Sequence, residues 1–246
     1  MNINVQSSQP TLSYRVGINH KSNMLFGIAN NVHSEVRVCT PDLLREALDA
    51  PHVARTCAEI EDALEAYRRG ELTKEEFETL KAKLKKRLPI ITPHATFTNG
   101  RRKSDEAVAS GLSMYDLDHI ANPRERWAEI EPRKKALGIL MAHITPSTEG
   151  LRLIFVIPMG MNLAEAQAWM ARQLGDKEYD ACVKDYARCS FAVPREYVLF
   201  LDEEELFAAP LCDGVILNGV KDPAESLAKS HCEMFRSAQH DKLCST

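Results

Sequence analysis

The stretch GLSMYDLDHI, residues 111–120, sets two aspartates one residue apart inside an otherwise strand-like run. Like charges in or beside a β-strand are costly to bury, so a compensating group is required nearby. Side chains alternate faces along a strand, which puts Leu112, Met114, Asp116 and Asp118 on one face. Two carboxylates so placed can converge on a shared cation. Equally, the strand can end here and Asp118-His119 can open a solvated loop. Alone, a D-x-D pair is more often a surface feature than a site.

The order of elements around this strand sets the fold class. Asn122-Pro123 opens a helix expected to run to about Leu137. GILMAHIT (138–145) reads as a second strand, PSTEG (146–150) as a polar turn, and LRLIFVIP (151–158) as a third strand. Asn162 caps a helix over LAEAQAWMARQL, which Gly175 ends as a C′ glycine. Strand-like pieces follow at about 187–191 and 197–201. The predicted order is β-α-β-β-α-β within an α+β fold, a split βαβ antiparallel sheet of the RNA-recognition-motif-like kind. Its helices cover one face and leave the other for a site or a second layer.

Upstream, residues 1–39 are poorly periodic, with strands expected near Tyr14–Ile18 and Glu35–Cys39. Thr40-Pro41 reads as N-cap and first helical position, and Thr56 with Glu59 and Thr73 with Glu76 match capping boxes. Phe77, Leu80, Leu84 and Leu88 then recur at helical spacing until Pro89. An N-terminal helical layer is therefore predicted over about 40–88. Its end, KAKLKKR (81–87), holds five basic residues in seven, a composition that also suits a solvated helix C-terminus. The expected organisation is one domain over 1–212, with the sheet at about 90–205, and a polar, poorly ordered tail over 213–246.

Composition bounds the function. With 246 residues, 44% hydrophobic and 27% charged, the chain is an ordinary globular composition with length for a sizeable core. A net charge of −4 gives no global attraction to nucleic acid, so such binding needs a local basic patch. Seven cysteines without a C-x-x-C pair suggest reduced thiols and a cytoplasmic setting. No apolar run approaches the roughly 18–20 residues of a membrane span. There is no P-loop and no nucleophile elbow. His231, Cys232, His240 and Cys244 fit no standard zinc module, and Cys182 and Cys189 read as packing residues.

Two features raise the aspartate pair above its background. Gly150 gives a tight turn, and Arg152, second after it, would emerge near the aspartates, where its planar fork suits a phosphate. After the second helix, EYDACVKDYARCSF (178–191) brings Asp180, Asp185 and Arg188 close in sequence.

Together these residues resemble the archaeo-eukaryotic primase superfamily, whose three motifs are a strand-borne D-x-D, a small-x-His and a later hydrophobic-Asp. Here they correspond to Tyr115-Asp116-Leu117-Asp118, Gly150-Leu151-Arg152 and Tyr179-Asp180. More closely, the chain resembles the VirE N-terminal-like family of mobile-element proteins, through LKKRLPIITPHATF, ASGLSMYDLDHI, TPSTEGLRLIF and DACVKDYARCSF in that order, across roughly 35–205. The resemblance implies a primase-polymerase-like core acting in DNA replication or priming of a mobile or phage-derived element.

Asp116, Asp118 and Asp180 would then be catalytic ligands of Mg²⁺ or Mn²⁺, and Ser147, Gly150, Arg152 and Arg188 nucleotide-binding residues. Lys85, Lys86, Arg87, Arg101 and Arg102 would follow a nucleic-acid backbone. The implied partners are single-stranded DNA template, nucleotide triphosphates and a separately encoded helicase, with no membrane. Arg152 replaces the usual histidine of the second motif. That departure keeps open a second reading, a nucleic-acid-binding or accessory module that retains the fold without catalysis.

Overall fold

The structure, a computed structural model, describes residues 25–176 and 185–208. In chain order its elements are strands β1 (Gly27–Ala29) and β2 (Arg37–Val38), then helices α1 (Pro41–Asp49), α2 (Pro51–Arg68) and α3 (Lys74–Lys85). Strands β3 (Ile90–Thr92), β4 (Ala95–Phe97), β5 (Ala107–Ala109) and β6 (Leu112–Asp118) follow, then α4 (Pro123–Ile130), β7 (Ile139–Ile144) and β8 (Gly150–Val156). The remainder is α5 (Leu163–Leu174), β9 (Ser190–Phe191), β10 (Val198–Leu201) and α6 (Glu203–Leu206). No described helix is long and apolar enough to cross a membrane.

The central sheet has the order β10-β7-β8-β6, and every neighbouring pair is antiparallel. Because β6 and β7 both run opposite to β8, they are parallel to each other with β8 between them, so the first βαβ unit is split. The last strand, β10, joins the far edge beside β7. Both helices lie on one face: Trp127 and Ile130 of α4, and Ala166, Met170 and Leu174 of α5, pack with Tyr115, Leu117, Leu151, Leu153 and Phe155.

The opposite face meets a second layer. A sheet of order β2-β1-β3-β9, with α1, buries Phe26, Ile28, Ile91, Leu44 and Leu48 against Leu112, Met114, Met141 and Ile154. The segment at 187–191, expected in the central sheet, contributes β9 to this first sheet instead, where Ser190 pairs with Ile91. Two-residue strands carry too little pattern to show which sheet they join.

Helix ends follow the local chemistry with three corrections. Thr40, Thr73, Asn122 and Asn162 cap their helices as expected, and Gly175 ends α5 at φ 66°. Thr56 caps nothing: α2 begins at Pro51, where Pro suits the first helical position, and Thr56 is buried inside it. α3 stops at Lys85, short of Leu88, which packs with Val53, Cys57 and Ile60 of α2. α4 ends at Ile130 and passes into a 3₁₀ turn at Glu131–Arg133, because Pro132 cannot continue the helical hydrogen bonding. The strand expected near Tyr14–Ile18, Asp180 and the 213–246 tail lie outside the described residues.

Phe155 is fully buried under α4 and α5. Phe155→Ala should lower unfolding free energy by about 3–5 kcal/mol in denaturant titration, as for buried aromatic truncations. A loss below 1 kcal/mol would contradict the helix placement.

Candidate functional site

Strand register brings the site together. Asp116 on β6 pairs with Arg152 on β8, and Arg152 pairs with His143 on β7, so three polar residues form a row across three strands. The row lies on the face turned toward the first sheet, since Asp116 shares it with Leu112 and Met114. Arg152 donates from both Nε and a terminal amine to the two carboxylate oxygens of Asp116, the second bond at 2.8 Å. The side chains are only 12% and 8% exposed. Arg188 adds a guanidinium 3.8 Å from the same carboxylate. The compensating group that the buried aspartate required is thus arginine.

Electrostatics follow from this packing. Burial alone would raise the Asp116 pKa, but Arg152, by charge and hydrogen bond, and Arg188 hold it below the usual carboxylate range. Burial works to lower the Arg152 pKa, and Asp116 more than restores it. His143 is held down to about 4, by burial first and then by Arg152. Neutral His143 donates from Nδ1 to the Ile144 carbonyl at 2.9 Å, leaving Nε2 to accept from the Ser190 hydroxyl at 3.3 Å. That bond ties the row to the first sheet.

The segment carrying Arg188 is anchored from several sides. His94, buried and pushed down mainly by desolvation, bridges Met114 N–H, accepted at Nε2, and the Asp185 carbonyl, each at 3.1 Å. Asp185 accepts from Ser104 and, at 2.9 Å, from Ala187 N–H. Arg102 donates to the Ala187 carbonyl at 3.0 Å and to Cys189 Sγ at 3.2 Å. Cys39, Cys57 and Cys189 are unpaired thiols.

The mouth of the site is built by two turns. Asp118, exposed, pairs with Gly150 at the start of β8. A Cβ on Gly150 would lie 2.8 Å from the Thr145 hydroxyl, so the turn 145–150 needs glycine for close approach. Ser147 sits half-buried in that turn, its carbonyl accepting from Thr148. Thr148 and His119, at φ 59° and 57°, adopt left-handed backbone on either side of the mouth, a strained choice for a β-branched residue.

The basic residues divide. Lys85 is half-buried, and desolvation first, then the charges of Lys81 and Arg152, lower its pKa; it makes no ion pair among the described residues. Arg87 turns away to Glu59 at 3.2 Å. Lys86 and Arg101 are exposed. Among the described residues around the row, Lys85, Arg152 and Arg188 oppose Asp116 and Asp118, three cations to two carboxylates.

Among the described residues no three His, Cys, Asp or Glu side chains form a metal-binding group. Asp116 and Asp118 supply the hard oxygen donors that Mg²⁺ or Mn²⁺ takes, from one strand face. Both Asp116 oxygens accept from Arg152, which leaves Asp118 as the open donor of the two. His94, His143 and Ser190 escaped the sequence reading. The signal was present as lone polar residues in apolar runs, ILMAHI above all, but their partners are distant in sequence.

A family model described as BT4734-like, N-terminal domain, matches residues 83–193, the stretch from the end of α3 to β9. Comparison with curated proteins and with solved structures finds no match.

Below its ordinary value of 6.5, buried His143 refuses the proton that the unfolded chain accepts. Unfolding free energy should therefore fall as pH drops from about 6.5 toward 4, by roughly 1.4 kcal/mol per unit for this group. His143→Gln should flatten that slope in denaturant titrations at stepped pH. An unchanged slope would contradict a buried neutral imidazole.

Proposed function

We propose that this chain is a nucleotide-directed domain of the primase-polymerase kind, serving nucleotidyl transfer in replication or priming of a mobile or phage-derived element. The observation that carries it is the Asp116-Arg152 register with Arg188 and Lys85 beside it: a D-x-D strand and a cluster of phosphate-binding cations in one place. The family match over 83–193 spans all of these residues, and the ordered resemblance to VirE N-terminal-like and primase motifs falls in the same region.

In this proposal Arg152 and Arg188 grip the triphosphate, the arginine fork giving bidentate contact. The turn Ser147–Gly150 shapes the pocket wall, where Gly150 lets Thr145 approach. Mg²⁺ or Mn²⁺ would be held by Asp116, Asp118 and Asp180, and would activate a 3′-hydroxyl and neutralise the leaving pyrophosphate. Exposed Lys86 and Arg101 offer sequence-independent contacts for single-stranded template.

A second reading, an accessory nucleic-acid-binding module without catalysis, is favoured by one specific observation. Both oxygens of Asp116 are occupied by Arg152.

Primer synthesis and extension with labelled nucleotides, Mg²⁺ or Mn²⁺ and single-stranded DNA separate the two. Divalent-dependent product is expected from the wild type, and its absence with retained DNA binding selects the accessory module. Arg152→Ala should weaken nucleotide binding at least roughly tenfold, the scale of a charge-assisted contact, with Arg152→Lys recovering only part. Unchanged nucleotide affinity in Arg152→Ala would remove this residue from the site. Because truncating one partner of a buried pair costs about 3–5 kcal/mol, folding of each variant is checked first.

A further inference from the structure

The cations of this site are underfilled. Arg188 approaches Asp116 at 3.8 Å, and its guanidinium makes no hydrogen bond among the described residues. Lys85 sits half-buried without an ion pair among the described residues, its pKa lowered by desolvation first and then by the charges of Lys81 and Arg152. Asp116 thus faces two guanidiniums and is hydrogen-bonded only by that of Arg152, while the carboxylates acting on Lys85 are Asp118 and Glu78. The Asp116–Arg152 pair lies two register positions from the strand end, where Asp118 faces Gly150, and retains slight exposure.

We propose that Asp116 is an internal stand-in for an anionic ligand, and that an oligophosphate binds by taking the Arg152 fork away from it. This rests on the phosphate site proposed above. The exchange leaves the same number of charge-assisted hydrogen bonds on Arg152, since a phosphate presents two acceptor oxygens as a carboxylate does. It adds what Asp116 cannot provide: acceptors for Arg188 and Lys85 on one ligand. Asp116 is then released beside Asp118 with both oxygens open.

The exchange also selects. A phosphodiester brings one negative charge, no more than the carboxylate that it must displace. A terminal oligophosphate brings several, so it alone outcompetes a preorganised aspartate. The site therefore takes polyphosphate ends and rejects nucleic-acid backbone, which is left to exposed residues such as Lys86 and Arg101.

The test uses the full chain with a chelator present, so that no divalent ion contributes. Inorganic triphosphate is titrated calorimetrically into the wild type and Asp116→Asn. Removing the competitor should tighten binding roughly tenfold, the value of one charge-assisted interaction. A requirement for Asp116 as a ligand holder predicts the opposite sign. A second readout is taken on the wild type: the Arg152 Nε–H resonance, assigned by its loss in a folded Arg152→Lys variant, should shift with triphosphate but not with dimethyl phosphate. Equal affinities with an unmoved resonance would overturn the exchange while leaving the anion site standing. No triphosphate binding by either protein would overturn the site itself. Equal response to dimethyl phosphate would overturn the selectivity.

Discussion

A buried carboxylate must be matched, and the bidentate pair between Asp116 and Arg152 is how this molecule matches it. Taking both charges out of water is unfavourable, and only close geometry with satisfied hydrogen bonds recovers the cost. The geometry comes from register: a shift of β6 by one residue would turn both aspartates toward α4 and α5 and Leu117 toward the first sheet. The apolar neighbours Leu112, Met114 and Ile154 on one face, and Tyr115, Leu153 and Phe155 on the other, fix that register. Hydrophobic alternation thus places a polar constellation that hydrophobicity alone would never select.

The second layer makes the constellation a site. A single sheet would leave the row open to water, where arginine and aspartate interact weakly. Covering it with β1, β3 and β9 lowers the local dielectric, and the His143–Ser190 bond joins the layers at that point. The cover is incomplete at the strand ends, where Asp118 and the 145–150 turn reach the surface.

The fold was legible where local signals were strong. The antiparallel sheet with two helices on one face was readable from the alternation of β6 and β8 and from the caps at Asn122 and Asn162. The Arg152-Asp116 encounter was readable too, because the hairpin turn that ends at Gly150 sends β8 back beside β6. Of the first sheet, only β2 was, within the strand expected at Glu35–Cys39. Its strands are two or three residues long, and β9 lies almost 100 residues from its partner β3. Nor could the sequence show that Arg152 would neutralise Asp116 itself, since D-x-D reads as a cation site until its cross-strand partner is known. Arg87, grouped with Lys85 by sequence, turns to Glu59 instead, because it lies two residues on, past the end of α3.

The Asp116–Arg152 row is proposed as a phosphate site of a nucleotide-directed domain. Its most direct test is a crystal structure of the chain with a non-hydrolysable nucleoside triphosphate. The account predicts phosphate oxygens between Arg152 and Arg188, with the Arg152 fork no longer on Asp116. A triphosphate bound elsewhere, with the Asp116–Arg152 pair intact, would contradict it.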